Sequence, residues 1–227
     1  MAKSETIDAL IEQATLHFAR YGFEGASLRE IATDAGATLS TIDRYFGSKA
    51  ALYHAVLRQV WLEVEREREA LFQQAAARKG TRSLDPAELI FALARPIVQR
   101  ALSDQPVDVA RTSLLRSRRF AEQQRLVSAI PAVEPTDTDR SLARWISELE
   151  RACPELSRQE AVWAFSYISG IIYSRQLIEH RYDRHFVPEY EPTTDSVTAD
   201  LVAFGCAGLA SLCERAAANA ARRRATA

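Results

Sequence analysis

Ser27-Leu28-Arg29-Glu30-Ile31-Ala32-Thr33-Asp34-Ala35-Gly36-Ala37-Thr38-Leu39-Ser40-Thr41-Ile42-Asp43-Arg44-Tyr45-Phe46 is the stretch on which the reading of the fold turns. Ser27 followed three positions later by Glu30 is a capping box, in which each side chain satisfies a free backbone N–H at a helix start. Leu28, Ile31, Ala32 and Ala35 then line one face of a short helix, and Gly36 stops it. Thr38 is the expected N-cap of a second short helix over Leu39–Tyr45. Its apolar side is thin, with Ile42 and, just beyond, Phe46, while Ser40, Thr41, Asp43 and Arg44 face outward. Leu28, Ile31, Ala32, Ile42 and Phe46 can form a small core that holds the second helix proud of the surface. Ala32 and Ala35 are small where the helices must approach. This is a helix-turn-helix arrangement, although on spacing alone an ordinary corner of a helical bundle accounts for it equally well.

The flanks are helical too. Ile7, Leu10, Ile11, Ala14 and Phe18 recur at helical spacing and predict a first helix over Thr6–Tyr21, ended by Gly22. After Gly47-Ser48-Lys49 a long helix carries Leu52, Val56, Val60 and Trp61 through alternating charges from Glu63 to Glu69 toward Lys79-Gly80. Asp85-Pro86-Ala87-Glu88 starts a helix that Pro96 is expected to kink or end. Further helices are expected over Val107–Ala129, Asp137–Ala152, from the capping box at Ser157-Arg158-Gln159-Glu160 to Tyr182, and over Ser196–Ala221, with loops at Pro131–Pro135 and Asp183–Asp195. The expected fold is all-α, about nine helices, with no repeat. The boundary between the three short helices and the rest falls inside the long fourth helix.

Composition bounds the function. With 227 residues, 47% hydrophobic, and only 8 Gly and 8 Pro, the chain is neither disordered nor linker-dominated. It carries 29 Lys+Arg against 30 Asp+Glu, so bulk charge does not attract a polyanion. Cys153, Cys206 and Cys213 make an odd count without metal-ligand spacing, which points to a reducing cytoplasm and buried thiols, with a redox pair between Cys206 and Cys213 of two subunits as the lesser alternative. No 18-residue apolar run was found, and Met1–Ile11 lacks a charged leader before an apolar stretch, so neither a membrane span nor a secretory signal is expected. His180 and His185 straddle a helix end in poor metal geometry, and none of the four His has a suitably spaced catalytic partner. No metal, no cofactor and no enzyme activity are expected.

The first fifty or so residues resemble the DNA-binding domain of the TetR family of bacterial transcriptional regulators. The resemblance runs through Ala14, Phe18, Gly22, Phe23, Ser27, Ile31, Ala32, Ala35, Gly36, Thr41, Ile42, Tyr45, Phe46, Ser48, Lys49 and Leu52, and Tyr45-Phe46-Gly47-Ser48-Lys49 is its most distinctive part. It implies a helix-turn-helix domain over 1–50, and a helical ligand-binding and dimerisation domain over 51–227. Ser27 and Thr38 then sit at helix N-termini where hydroxyls and N–H groups can meet phosphate. Tyr45 resembles a phosphate-contacting aromatic and Lys49 a phosphate anchor. Leu39, Ser40, Thr41 and Arg44 are expected to face the groove, with Arg29 near it. The family usually has an aromatic at position 43. Asp43 here either accepts from a cytosine or, the favoured reading, pairs with Arg44 or Arg29 and orients them. Residues 1–60 hold six Lys/Arg and seven Asp/Glu, so binding must rely on placement; few phosphate contacts predict a modest salt dependence and a need for a dimer whose two recognition helices lie about 34–36 Å apart on a near-palindromic operator.

In the second domain, Ala161–Tyr173 is apolar on nearly every face and is expected to be buried on both sides. Ala199, Ala203, Ala207 and Ser211 recur every four residues beside Gly205 and Gly208, which suits close helix packing across a two-fold axis. The resemblance implies the same homodimer through the last two helices. Phe91, Arg95, Trp145, Trp163, Tyr167 and Arg175 are the candidate lining of a small-molecule effector site, the Arg favouring an anionic or carbonyl-bearing ligand. The basic stretch Arg111, Arg116, Arg118, Arg119 and Arg125 either contacts the acidic first helix or is a solvated face. The expected function is a cytoplasmic, ligand-responsive regulator, a repressor released by its inducer. The alternative is a helical ligand-binding or interaction protein with weak or lost DNA binding.

Overall fold

The computed structural model describes residues 3–80, 84–117, 137–178, 189 and 191–225. Among them there are nine helices and no strand: α1 Lys3–Gly25, α2 Leu28–Asp34, α3 Leu39–Phe46, α4 Lys49–Lys79, α5 Pro86–Ala101, α6 Pro106–Ser117, α7 Asp137–Ala152, α8 Arg158–Ile178 and α9 Thr194–Ala225. The expected stretches 118–129, Pro131–Pro135 and most of Asp183–Asp195 lie outside the described residues, as does the end of α8 beyond Ile178. The described helices separate into two compact units. One holds α1–α3, α4 as far as Val64, and α6; the other holds α4 from Glu65, α5 and α7–α9. Both units therefore draw on α4.

The first unit is built on Leu10, Ala14 and Phe18 of α1, Ile31 and Ala32 of α2, Ile42 of α3, and Leu52, Tyr53, Val56 and Val60 of α4, all buried. Phe18 meets Tyr53 edge-on, 4.9 Å between ring centroids, a geometry that adds to simple area burial. Gly22 takes φ 69° and breaks the helical path inside α1, a left-handed conformation that a residue with a Cβ adopts at a cost. Gly47 closes α3 in the same way at φ 76°, its N–H returning to the Asp43 and Ile42 carbonyls. α6 packs against α1, with Ala110 and Leu114 buried. Arg111 goes to Glu63 of α4 at 3.5 Å and to Asp108 at 3.3 Å instead of to the acids of α1. Arg118, Arg119 and Arg125, and the side chain of Arg116, lie outside the described residues.

The second unit packs Leu89, Ile90, Leu93 and Ile97 of α5 against Trp145 and Leu149 of α7, Phe165, Ile168 and Ile172 of α8, and Val197, Leu201 and Leu209 of α9. α9 lies along α5, and Gly205 marks the close approach: a Cβ there would stand 2.8 Å from Ile90 Cδ1. Pro96 neither ends α5 nor is exposed; the helix runs through it with the ring buried. A proline removes one N–H from the ladder and disturbs the carbonyls a turn upstream. One turn before Pro96, the buried guanidinium of Arg68, on α4, donates Nε and Nη2 to the Leu93 carbonyl at 3.1 and 2.9 Å. α9 corrects the expectation about apolar length, because residues 196–213 hold only one charge, Asp200. By length and composition α9 could cross a membrane, but here Val197, Leu201, Gly205 and Leu209 are buried in the unit.

The start of α5 carries a pH-sensitive contact. Asp85 accepts from the Glu88 N–H at 3.0 Å, and Glu88 accepts from the Asp85 N–H at 3.4 Å, while Lys79 donates to Asp85 at 2.7 Å. The Lys79 ammonium, with the Glu88 N–H, holds the Asp85 carboxyl below its ordinary value. A carboxyl lowered in the folded state contributes stability above its unfolded value, about 3.9, and that contribution is lost as pH falls through the folded value. The Asp85→Asn variant is therefore expected to melt with a flatter pH dependence than the parent below about pH 4, measured by thermal unfolding monitored by circular dichroism.

Candidate nucleic-acid interface and effector cavity

The helix-turn-helix is formed as its spacing implies, with α2 and α3 packed on each other. Ile31, Ala32, Ala35 and Ile42 are buried, and Leu28 and Phe46 are half-buried. The expected box at Ser27 is made in one direction only. Ser27 Oγ accepts from the Glu30 N–H at 3.4 Å, but the Glu30 carboxylate turns toward His17 of α1, 4.0 Å from Nδ1, whose Nε2 binds Asp34 at 2.8 Å. His17 thus holds α1 to α2, a role that no local pattern announces.

The exposed edge of α3 is a hydroxyl cluster beside an Arg–Tyr pair. Thr38 Oγ1 lies 2.8 Å from Ser40 Oγ and 2.9 Å from Thr41 Oγ1, and the Thr38 N–H donates to Thr41 Oγ1 at 3.4 Å. Leu39 stands next to them, 41% exposed, an apolar tip of the kind that meets a thymine methyl. Arg44 Nη2 donates to Tyr45 Oη at 2.7 Å, and its Cζ lies 4.6 Å above the Tyr45 ring. Arg44 is therefore held by Tyr45, not by Asp43, which is exposed. Lys49 Nζ donates to the Glu24 carbonyl at 3.0 Å and lies 5.1 Å over the Phe23 ring, which ties the start of α4 to the end of α1. Arg29 is exposed on α2. Hydroxyls, a guanidinium and one apolar tip thus share the exposed edge of α3.

The six candidate effector residues are only partly brought together. Phe91 and Arg95 line a cavity of about 1110 Å³ in the second unit, between α4, α5 and α9, with Leu71, Ala75 and Val202 as apolar lining and Arg78, Glu88 and Asp195 at its polar side. Arg95 pairs with Asp195 and its guanidinium lies 5.9 Å from the Phe91 ring centroid. Trp145 is elsewhere, buried, its Nε1 donating to Glu65 at 3.0 Å. Trp163 and Tyr167 of α8 are 50% and 61% exposed, which corrects the expectation that this helix is buried all round. Arg175 is on α8, its side chain outside the described residues. Asp195 and Arg78 were not anticipated; Asp195 lies one hundred positions from its partner, beyond any helical spacing. No group of three or more metal-ligating side chains capable of holding an ion occurs among the described residues.

Together these features define a class of protein: one whose described residues are all-helical, with an N-terminal helix-turn-helix followed by a second helical unit. Residues 10–56 match the family described as bacterial regulatory proteins, tetR family. The HTH-type transcriptional regulator RutR of Escherichia coli strain K12 is 44% identical over 57 residues, which cover 24% of this chain and 27% of that protein. The match thus spans about a quarter of this curated relative. Whole-chain likeness is one of fold. A TetR-like transcriptional regulator from Rhodococcus sp. RHA1 superposes with a TM-score of 0.60 at 20% identity, over 92% of this chain and 98% of that one. A transcriptional regulator from Pseudomonas aeruginosa PAO1 gives 0.62 at 18%, over 95% of each chain. AibR, in complex with isovaleryl coenzyme A and operator DNA, gives 0.57 at 16%, over 88% of this chain and 97% of that one.

Proposed function

We propose that the chain is a homodimeric, DNA-binding transcriptional repressor of the cytoplasm, released from a near-palindromic operator by a small anionic effector. The observation that carries the reading is the exposed edge of α3, where Thr38, Leu39, Ser40, Thr41 and the Arg44–Tyr45 pair stand on a TetR-type head. Ser27, Arg29 and Lys49 serve the flanking phosphates. That a protein of this fold can take both a small molecule and operator DNA is supported by AibR, crystallised with isovaleryl coenzyme A and operator DNA. Effector binding to the state less suited to the operator shifts the population away from DNA. A mobility shift with the DNA upstream of its own coding sequence tests the reading, and an intact dimer that shifts no such DNA at low salt contradicts it.

The dimer is assigned to α8 and α9. Val162, Trp163, Tyr167 and Phe204 are exposed there, Phe204 at 70%, next to the exposed small residues Ala207 and Gly208. A contiguous apolar face with small residues between aromatics is what a self-complementary helical interface requires. Phe204→Asp is expected to weaken dimerisation by about 2 kcal/mol or more, roughly 30-fold in dissociation constant, read by light scattering across a dilution series.

The effector site is assigned to the cavity at Phe91 and Arg95. It is mostly apolar with a few charged groups, as small-molecule sites are. A carboxylate or similar anion can take the place of Asp195 on Arg95. Arg95→Gln is expected to abolish the thermal shift caused by apolar carboxylates, and a screen in which only cationic ligands stabilise the protein contradicts the assignment.

A further inference from the structure

All three cysteines of the chain converge on one small cavity of the second unit. Cys153, in the connection between α7 and α8, and Cys206 and Cys213, two turns apart on α9, line a space of about 290 Å³ beside Asp85–Ala87 at the start of α5. Cys153 is buried, and the other two are half-buried. They lie on the side of α9 away from Phe204 and Gly208, two residues offset on a helix being about 200° apart, so the face assigned to the dimer leaves this cavity open.

The three thiols are not equivalent. The Cys153 and Cys213 thiols line this cavity together and interact with each other, and Cys213 also interacts with the Glu155 carboxylate. Burial pushes the Cys153 thiol up to about 12, which keeps it protonated. Burial raises Cys213 as well, with the Glu155 carboxylate adding to the rise and Cys153 opposing only part of it. Cys213 is thus half-buried, beside a second thiol that can resolve it and a carboxylate that can take its proton. Cys206 is raised by burial and by the nearby Asp85 carboxylate.

We propose that Cys213 and Cys153 form an oxidation site that a hydroperoxide converts to an intrachain disulfide, with Cys213 as the attacking sulfur and Cys153 as the resolving one. The Cys213 sulfur attacks the terminal oxygen of the hydroperoxide as its proton passes through Glu155 to the departing oxygen. The O–O bond breaks, an alcohol leaves, and Cys213 becomes a sulfenic acid. The Cys153 sulfur then attacks Cys213. The S–O bond breaks, and the hydroxyl leaves as water with the Cys153 proton. Two thiols lose two electrons and two protons, and the hydroperoxide is reduced to alcohol and water. The product ties the α7–α8 connection to α9. The inference stands on these residues alone and does not depend on DNA binding.

The test uses the reduced full chain with tert-butyl hydroperoxide as titrant. The denatured thiol count is expected to fall from three to one, with the peptide containing Cys153 joined to that containing Cys213 in a non-reducing digest. Cys206→Ser, whose melting temperature checks folding, is expected to close as the parent does. Cys153→Ser is expected to leave a dimedone-reactive sulfenic acid at Cys213. Glu155→Gln, at an exposed position, is expected to slow closure at least tenfold without altering the melting temperature. Three thiols surviving a large excess of hydroperoxide, or closure lost in Cys206→Ser, would overturn the proposal. Unchanged closure in Glu155→Gln would overturn the role given to that carboxylate.

Discussion

Arg68→Ala is expected to lower the unfolding free energy of the second unit by about 3–5 kcal/mol, the cost of removing one member of a buried ionic network. Arg68 is 4% exposed. Its guanidinium serves the Leu93 carbonyl twice, Glu65 at 2.7 Å, and the Tyr173 hydroxyl. Three helices, α4, α5 and α8, therefore meet on one side chain. Alanine leaves the Leu93 carbonyl, already next to a proline-disturbed turn, without its donors. Glu65 keeps Ser141 and Trp145 as donors, but its half-buried charge loses the Arg68 cation. Arg68→Lys is expected to lose nearly as much, since an ammonium cannot fork onto a carbonyl and a carboxylate together. Arg68→Met combined with Glu65→Gln is expected to recover part of the loss, because that pair buries no unmatched charge. Urea unfolding of the four proteins reads these differences; a loss under about 1 kcal/mol for Arg68→Ala contradicts the role given to the network.

Arg44→Ala is expected to lose operator affinity by about 1–3 kcal/mol at each half-site, hence roughly 2–6 kcal/mol for the dimer, or about 30-fold to 10⁴-fold. Arg44 is exposed, so the melting temperature and the dimer are expected to stay unchanged. Tyr45 holds the guanidinium from one side by a hydrogen bond and by its ring. Such holding lowers the entropy lost when the guanidinium meets a base or phosphate. Tyr45→Phe keeps the ring and removes the acceptor, and a loss of about tenfold or less is expected. In Arg44→Ala the same change is expected to cost less, a non-additivity that direct and independent DNA contacts by the two residues do not produce.

Most of the helical frame was legible because its signals are local. Caps at Asp85 and Ser157, the apolar spacing of Leu10, Ala14 and Phe18, and glycines at 22, 36 and 47 all act within a turn or two of themselves. The outward set on α3 followed from the single buried Ile42 in the same way. What stayed hidden depends on partners distant in sequence. The charges from Glu63 to Glu69 read only as an alternating run, yet Arg68, Glu65 and Glu67 join α5 and α7 through Leu93, Trp145 and Arg100. Trp145 read as a cavity wall and is a buried donor. The aromatics of α8 read as core, but helix periodicity cannot distinguish a face covered by the same chain from one left to a second copy. Arg95 found Asp195, and Cys153 found Cys213, only once α9 lay beside the rest of its unit.

The near balance of Lys/Arg and Asp/Glu does not oppose DNA binding when a few donors are well placed on α3, but it does demand sequence-dependent contacts and a dimer. Selection from a pool of random-sequence duplexes by the purified full chain, at physiological salt, measures this most directly. Recovery of a near-palindromic site with half-sites about one turn of DNA apart, lost in Arg44→Ala, is the predicted result. A folded, dimeric protein that enriches no sequence over the starting pool would contradict the account.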